Sequence, residues 1–412
     1  MSSRYQGRRS SRRRGVNPLV IGLIVVIAAI ILVIINIIMD HSKKPQSKPQ
    51  EPSGQEEPVN PVNPDDPVNP DDPANPDDPA NPDDPDNPNT PDDPGTTDDP
   101  VEPGGYERIE INGDQHQYDA VYRIGDSGFE MYTYISDTAA KYTGAVNKAA
   151  EQLQGAANVY AITIPLSSGI TLPDDLLGKD IFGDQKKAEE NVVSMFSDQV
   201  KSVPLYNVLM SHRTEYIYYR TDHHWTALGA YYGYREFCKA KGITPHELTD
   251  YKMEEFTGFL GTFYRDSGNN EQMGANPDTV VVYRPVTTTA QLVFTDNKGQ
   301  ETPWRIIYDV SDWSSSMKYN TFIGGDNPFT VITNPEVEDD SACVVIKESF
   351  GNAFVPYLVD HYHKVYVLDY RYWSGNLQSF VREKGAQDVV FINNLSAIRN
   401  NYLMGKLQEM VG

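Results

Sequence analysis

Ala342-Cys343-Val344-Val345-Ile346 runs into Lys347-Glu348-Ser349-Phe350-Gly351-Asn352, and this stretch decides the fold. The apolar run reads as a strand, and Phe350, Phe354 and Leu358 recur at helical spacing behind it. The alternation then repeats. Val365–Leu368 reads as a strand and Leu377–Lys384 as a helix, Asp388–Ile392 as a strand, and a last helix closes the chain. Fully apolar strands separated by amphipathic helices imply an α/β fold with a parallel sheet covered on both faces. In such a sheet ligands bind at the carboxyl ends of the strands. Three polar ends are predicted there: Glu348-Ser349, Asp369-Tyr370-Arg371 and Asn393-Asn394.

Upstream, Asp137–Leu153 carries Ala140, Val146, Ala149 and Leu153 at helical spacing. Val159–Ile164 is an apolar strand ending at Pro165, and Gln185–Val200 reads as a second amphipathic helix. Strands are expected at Leu205–Met210 and Tyr216–Tyr219, then a helix over Ala227–Ala240 stopped by Gly242. From Tyr251 to about Thr333 the pattern is irregular, with short strands expected near Thr279–Tyr283, Gln291–Phe294 and Arg305–Val310.

Two segments carry chemistry. Asp222-His223-His224-Trp225 places a carboxylate two residues before an imidazole, at the entrance to the helix at Ala227. In an extended segment residues i and i+2 share a side, so Asp222 can reach Nδ1 of His224, while His223 is expected to face away as a packed or hydrogen-bonded residue. Ser349 stands on a strand-to-helix turn, which exposes a hydroxyl and aims helix N–H groups at its surroundings. A serine hydroxyl is a poor nucleophile until a base takes its proton. Ser349, His224 and Asp222 are therefore the candidate catalytic residues; the plain alternative for Ser349 is a helix cap. Asn352, Arg371, Asn393 and Tyr319 are candidate oxyanion or substrate-binding groups. Gly125-Asp126-Ser127 contains the Gly-Asp-Ser string of one esterase family, but Gly128-Phe129 follows and no clearly apolar strand precedes it.

The remainder says where the protein sits. Residues 1–17 hold Arg4, Arg8, Arg9, Arg12, Arg13 and Arg14. Residues 18–39 are almost wholly apolar, about the 20 residues needed to cross a bilayer as a helix. That run is too long for a signal-peptide core, and no small-residue cleavage pattern follows it. The arginine cluster before it predicts a single-pass anchor with a cytoplasmic N-terminus and an extracellular C-terminal domain. Residues 40–105 repeat Asn75-Pro76-Asp77-Asp78-Pro79 at a six-residue period. With almost nothing apolar to bury, this linker is expected to be a disordered, extended spacer. The globular domain is expected over 106–412.

The net charge of −23 sits largely in that spacer and argues against nucleic acid as a partner. The two cysteines, Cys238 and Cys343, fall in apolar patterns and read as free and buried. No Cys/His cluster has zinc spacing, no phosphate loop is present, and no metal or cofactor is called for.

Thr221-Asp222-His223-His224-Trp225-Thr226, followed by Gly258-Phe259-Leu260-Gly261-Thr262, resembles the DHHW protein family. Tyr319–Asp326, Glu348–Asn352 and Leu368–Arg371 resemble its later blocks, so the resemblance runs in order from Gly125 to the end of the chain. The family is similar to the SGNH-hydrolase-like domains of the alginate O-acetylation proteins, which implies a permuted, three-layer SGNH-like domain. Carried over, the acyl-transfer roles fall on Asp222, His224 and Ser349, with Glu348 standing where SGNH serine blocks commonly carry Asp. The resemblance implies O-acyl transfer, chiefly acetyl, to a cell-envelope polysaccharide through a Ser-His-Asp acyl-enzyme. A membrane-bound O-acyltransferase is then the expected partner supplying acyl groups, because acyl-CoA does not reach the outside of a cell. A carbohydrate esterase or deacetylase on the same fold, and a non-catalytic cell-wall or glycan-binding protein, are the alternatives.

Overall fold

A computed structural model describes residues 106–412. The apolar segment 18–39 and the acidic spacer lie outside the described residues. Among the described residues no helix is long and apolar enough to cross a membrane.

The apolar runs become the centre of an eight-stranded sheet. Numbering every strand in chain order, its members are β4 (Asn158–Ile164), β5 (Val200–Pro204), β8 (Gln291–Thr295), β9 (Glu301–Trp304), β10 (Phe329–Thr333), β11 (Ala342–Lys347), β12 (Lys364–Asp369) and β13 (Asp388–Asn394). They lie in the order β5-β4-β13-β11-β12-β10-β8-β9. The first five are mutually parallel, and β10, β8 and β9 add antiparallel pairings. A three-stranded meander precedes the sheet: β1 (Gln115–Gln117), β2 (Val121–Ile124) and β3 (Ser127–Glu130). A separate antiparallel ribbon pairs β6 (Lys252–Phe259) with β7 (Asp278–Arg284).

The parallel strands are buried on both faces, as their unbroken apolarity requires. Along β4, Tyr160, Ile162 and Ile164 enter one core and Val159 and Ala161 the other. The first core is closed by α3 (Ala227–Lys241), through Ala230, Tyr234 and Phe237. The second is closed by α1 (Ser136–Gln152) and α5 (Asn401–Val411), through Tyr142, Val146, Met404 and Leu407. The two remaining long helices are α2 (Gln185–Ser194) and α4 (Leu377–Lys384). Each large apolar side chain so buried contributes roughly 1.5–3 kcal/mol.

Several expectations shift. The helix begun at Gln185 ends at Ser194, and Val200 opens β5 instead of closing that helix. Leu205–Met210 is not a strand: Tyr206–Ser211 is helical, and the buried Glu189 carboxylate accepts the N–H groups of Leu205 and Tyr206 at its start, at 2.8 and 3.1 Å. Tyr216–Tyr219 supplies a single bridge, Tyr218 to Trp225, in place of a strand. Arg305–Val310 is irregular, and the strand lies earlier, at Glu301–Trp304. Its polar sequence with Pro303 suits the sheet edge that it occupies. The helix after Ser349 is one α-turn, Gly351–Phe354, followed by a 3-10 stretch over Val355–His361 with Pro356 in its first turn. β6 and β10 lack the alternation that marks a strand: Met253, Phe256 and Phe259 are three residues apart on β6, and Val331 and Ile332 are adjacent on β10.

Cys238 and Cys343 are free and buried. Burial pushes the Cys238 thiol up to about 12 and the Cys343 thiol well up.

Candidate active site

Strand order brings the polar ends together. β11 lies between β12 and β13, so Ser349 stands between Arg371 and Asn394 on the carboxyl edge of the parallel strands. The Asp-His-His-Trp segment approaches this edge as a tight loop. Tyr219 N–H donates to His224 O at 3.2 Å and Thr226 N–H to Ile217 O at 2.9 Å, closing its two sides. Thr226 then caps α3, its hydroxyl accepting from Gly229 N–H at 3.3 Å. At the loop's base the buried Asp278 takes both the N–H and the hydroxyl of Thr221, at 2.7 and 2.6 Å.

His224 reaches both partners. Its Nδ1–H donates to Asp222 Oδ1 at 2.5 Å, and Ser349 Oγ lies 2.7 Å from its Nε2. The chain is bent here and not extended. Asp222 Oδ1 also accepts the backbone N–H of His224 at 3.0 Å, and this short loop bond, not strand alternation, aligns the pair. Asp222 is buried, and its other oxygen is met by Thr262, through the N–H at 2.8 Å and the hydroxyl at 3.2 Å. Burial alone would raise the Asp222 carboxyl. The imidazoles of His224 and His223 and these hydrogen bonds outweigh it and hold the carboxyl well below the usual range.

The ribbon β6–β7 delivers this support, since Gly261 and Thr262 follow β6 directly. A Cβ on Gly261 would collide with the Asp222 carboxylate, so only glycine permits the approach. Tyr319 stacks on the far face of His224 with ring centroids 4.0 Å apart and planes 13° from parallel, and its hydroxyl donates to Ser349 O at 3.0 Å.

Ser349 is partly exposed at the floor of a cavity of about 350 Å³. His223, Thr262, Glu348, Arg371 and Asn394 wall it. His223 does not face away: its ring lies against His224, centroids 3.8 Å apart, and Nδ1 lies 2.7 Å from Thr262 Oγ1. Burial and the nearby His224 lower its basicity.

The candidate binding groups divide. Arg371 lines the cavity, its guanidinium anchored by Asp369 at 2.8 and 2.6 Å and by Asp326 at 2.9 Å. Asn352 is buried and gives its amide to Asp326 at 2.9 Å, and Asn393 gives its amide to Tyr370 at 2.8 Å. Neither amide is turned to Ser349, and Tyr319 acts as a platform beneath His224 instead. Behind the serine, the buried Lys347 ammonium bridges Asp326 and Asp369 at 2.9 and 2.8 Å. These carboxylates hold it charged, above the ordinary lysine value, despite burial. Glu348 is buried, its oxygens accept Asn394 N–H and Phe350 N–H, each at 3.1 Å, and burial raises its carboxyl against the pull of the Arg371 guanidinium.

Asp222, His223 and His224 offer ligand atoms within 4.8 Å of one another. Hydrogen bonds already engage Asp222 Oδ1, both ring nitrogens of His224 and Nδ1 of His223. Ser127 of the Gly-Asp-Ser string is buried on β3, and its hydroxyl donates to Asp126 at 3.1 Å and to no histidine among the described residues. Sequence reasoning missed Asp278 and the Lys347 network; an isolated charge in an apolar run, as at Lys347, was the available signal.

A family model described as DHHW protein matches residues 86–368. The chain belongs to the DHHW family. A crystal structure of a DHHW family protein from Eubacterium siraeum is 26% identical, with a TM-score of 0.66, and the match covers 74% of this chain and all of that one. Bacillus cereus PatB1, solved with a sulfonyl adduct, is 18% identical at a TM-score of 0.58, covering 69% of this chain and 97% of that one. This likeness extends to the fold alone. The O-acetyltransferase domain of Pseudomonas putida AlgJ aligns at 12% identity and a TM-score of 0.37, over 69% of this chain and 96% of that one. No curated protein matches the chain.

Proposed function

We propose that this DHHW protein is an extracytoplasmic O-acyltransferase, moving acyl groups, chiefly acetyl, onto a cell-envelope polysaccharide through an ester on Ser349. The observation that carries the reading is the relay Asp222–His224–Ser349, at 2.5 and 2.7 Å, opening on a cavity. As Ser349 Oγ attacks the acyl carbon, His224 Nε2 takes its proton and Asp222 stabilises the imidazolium. The proton passes to the leaving group of the donor, and Ser349 holds the acyl group as an ester. In the second half an acceptor hydroxyl gives its proton to His224, attacks the ester, and Ser349 leaves with that proton. Arg371 is a cation on the cavity wall that can meet the developing oxyanion.

The permuted SGNH-like architecture fits a Ser-His-Asp relay whose histidine block precedes its serine. Segment 18–39 would anchor the chain, and the acidic spacer would let the domain travel between a membrane-bound O-acyltransferase and the glycan. Protease added to intact cells should then cut the spacer and release the domain; full protection would reverse the topology.

Labelling of the full-length protein with phenylmethylsulfonyl fluoride tests the nucleophile. Adduct mass on the Ser349 peptide is expected, absent in Ser349→Ala and much slowed in His224→Ala. Undiminished labelling of Ser349→Ala would remove the assignment. Unchanged envelope O-acetylation in a deletion strain would leave hydrolysis of such esters as the activity of the same relay.

A further inference from the structure

His223 takes no part in the steps above, yet it walls the same cavity as Ser349 with its side chain 29% exposed. Its hydrogen bonding favours one tautomer. A carboxylate only accepts, so the Thr262 hydroxyl, 3.2 Å from Asp222 Oδ2, spends its one proton there. That hydroxyl must then accept from His223, whose Nδ1 lies 2.7 Å away and so bears the hydrogen. In a neutral imidazole the other nitrogen is a bare acceptor. Burial and the neighbouring His224 favour that neutral form. Nε2 of His223 has no hydrogen-bond partner among the described residues. Phe350 and Phe263, with ring centroids 5.9 and 6.4 Å away, flank the imidazole and hold its orientation.

Asp222 therefore orients two imidazoles, His224 directly and His223 through Thr262. We propose that His223 Nε2 accepts a hydrogen bond from a second hydroxyl of the acceptor, adjacent to the one that attacks, so that the site selects a vicinal diol such as a sugar ring over water or a lone alcohol. This rests on the acyl-transfer reading of Ser349. The two rings are 3.8 Å apart, so hydroxyls on neighbouring carbons can reach one each. His224 handles the proton of the reacting hydroxyl, and His223 only binds.

The test uses the full-length protein in detergent with 4-nitrophenyl acetate as donor. cis-Cyclohexane-1,2-diol and cyclohexanol serve as competing acceptors, and the monoacetates are quantified. The wild type should favour the diol. His223→Phe, which keeps an aromatic ring without nitrogen, should cut that preference about tenfold, chiefly through the acceptor KM. Thr262→Val should shift it the same way by less, because the backbone N–H still holds Asp222 while Nδ1–H loses its acceptor. An undiminished diol preference in His223→Phe would overturn the inference. Should that variant not fold, an undiminished preference in Thr262→Val would do so. A wild type that acetylates Ser349 but ignores the difference between the acceptors sinks this inference alone. A wild type never acetylated at Ser349 sinks the acyl-transfer reading beneath it.

Discussion

Trp225 Nε1 donates to the carbonyl oxygen of Phe350 at 2.9 Å, from a wholly buried indole. The bond ties the last residue of the Asp-His-His-Trp loop to the residue that follows Ser349. It thus fixes the spacing between base and nucleophile across 125 residues of chain. Trp225→Phe keeps an aromatic ring but leaves a buried carbonyl unmatched, which costs about 1–3 kcal/mol. The expected result is a lower urea midpoint, together with a loss of Ser349 labelling rate measured well below that midpoint. A rate equal to wild type in the folded variant would show that the spacing is held by other contacts.

Gly261→Ala aims at the other side of the relay. The added methyl would overlap the Asp222 carboxylate, which must retreat from His224 or from Thr262. Because catalytic geometry tolerates little displacement, reactivity should fall by about a hundredfold or more. Stability, followed by thermal unfolding, should fall by a smaller margin, in the range of about 1–3 kcal/mol common for overpacking. A variant that is fully reactive would mean that Asp222 need not sit where it does.

The parallel sheet was legible because β4, β11, β12 and β13 are unbroken apolar runs that nothing but burial on both faces explains. The pairing of Asp222 with His224 was legible for a partly mistaken reason. Spacing suggested an extended segment, whereas a bent loop with a backbone N–H bond does the aligning. His223 was misread by the same error, since strand alternation would have turned it away. Asn352 and Asn393 have the chemistry of oxyanion donors, but their amides are committed to Asp326 and Tyr370. Such commitments join residues far apart in sequence and leave no local pattern. Glu301–Trp304 escaped notice because an edge strand has little to bury.

Glu189 makes stability depend on pH in a defined window. Burial pushes its carboxyl up to about 8, against the pull of N–H bonds from Leu205 and Tyr206. The folded state therefore holds a proton that the unfolded chain releases above about pH 4.5. A raised carboxyl contributes stability that is complete below the unfolded value and is lost as pH rises toward 8. Urea midpoints should decline across that range, and Glu189→Gln, neutral throughout, should decline less. Parallel curves for the two proteins would exclude Glu189 as the source.

Glu348 offers the most local control on the serine turn. Its two oxygens each accept one backbone N–H, from Phe350 beside the nucleophile and from Asn394 on the cavity wall, both at 3.1 Å. Oε2 also lies 3.4 Å from Ser349 Oγ. A glutamine in its place has one accepting oxygen and one amide nitrogen, so an N–H would meet an NH2 and a buried donor would go unmatched. Glu348→Gln is therefore expected to lose about 1–3 kcal/mol of stability. Labelling of Ser349 should slow as well, because the turn and the end of β13 are no longer clamped together. Glu348→Asp keeps both oxygens on a shorter stem and should fall between the two proteins in both measurements. If Glu348→Gln unfolds at the wild-type urea concentration, the two-oxygen clamp is not what holds the serine turn. If it is stable but labels slowly, charge rather than hydrogen bonding is the contribution of Glu348 to the site.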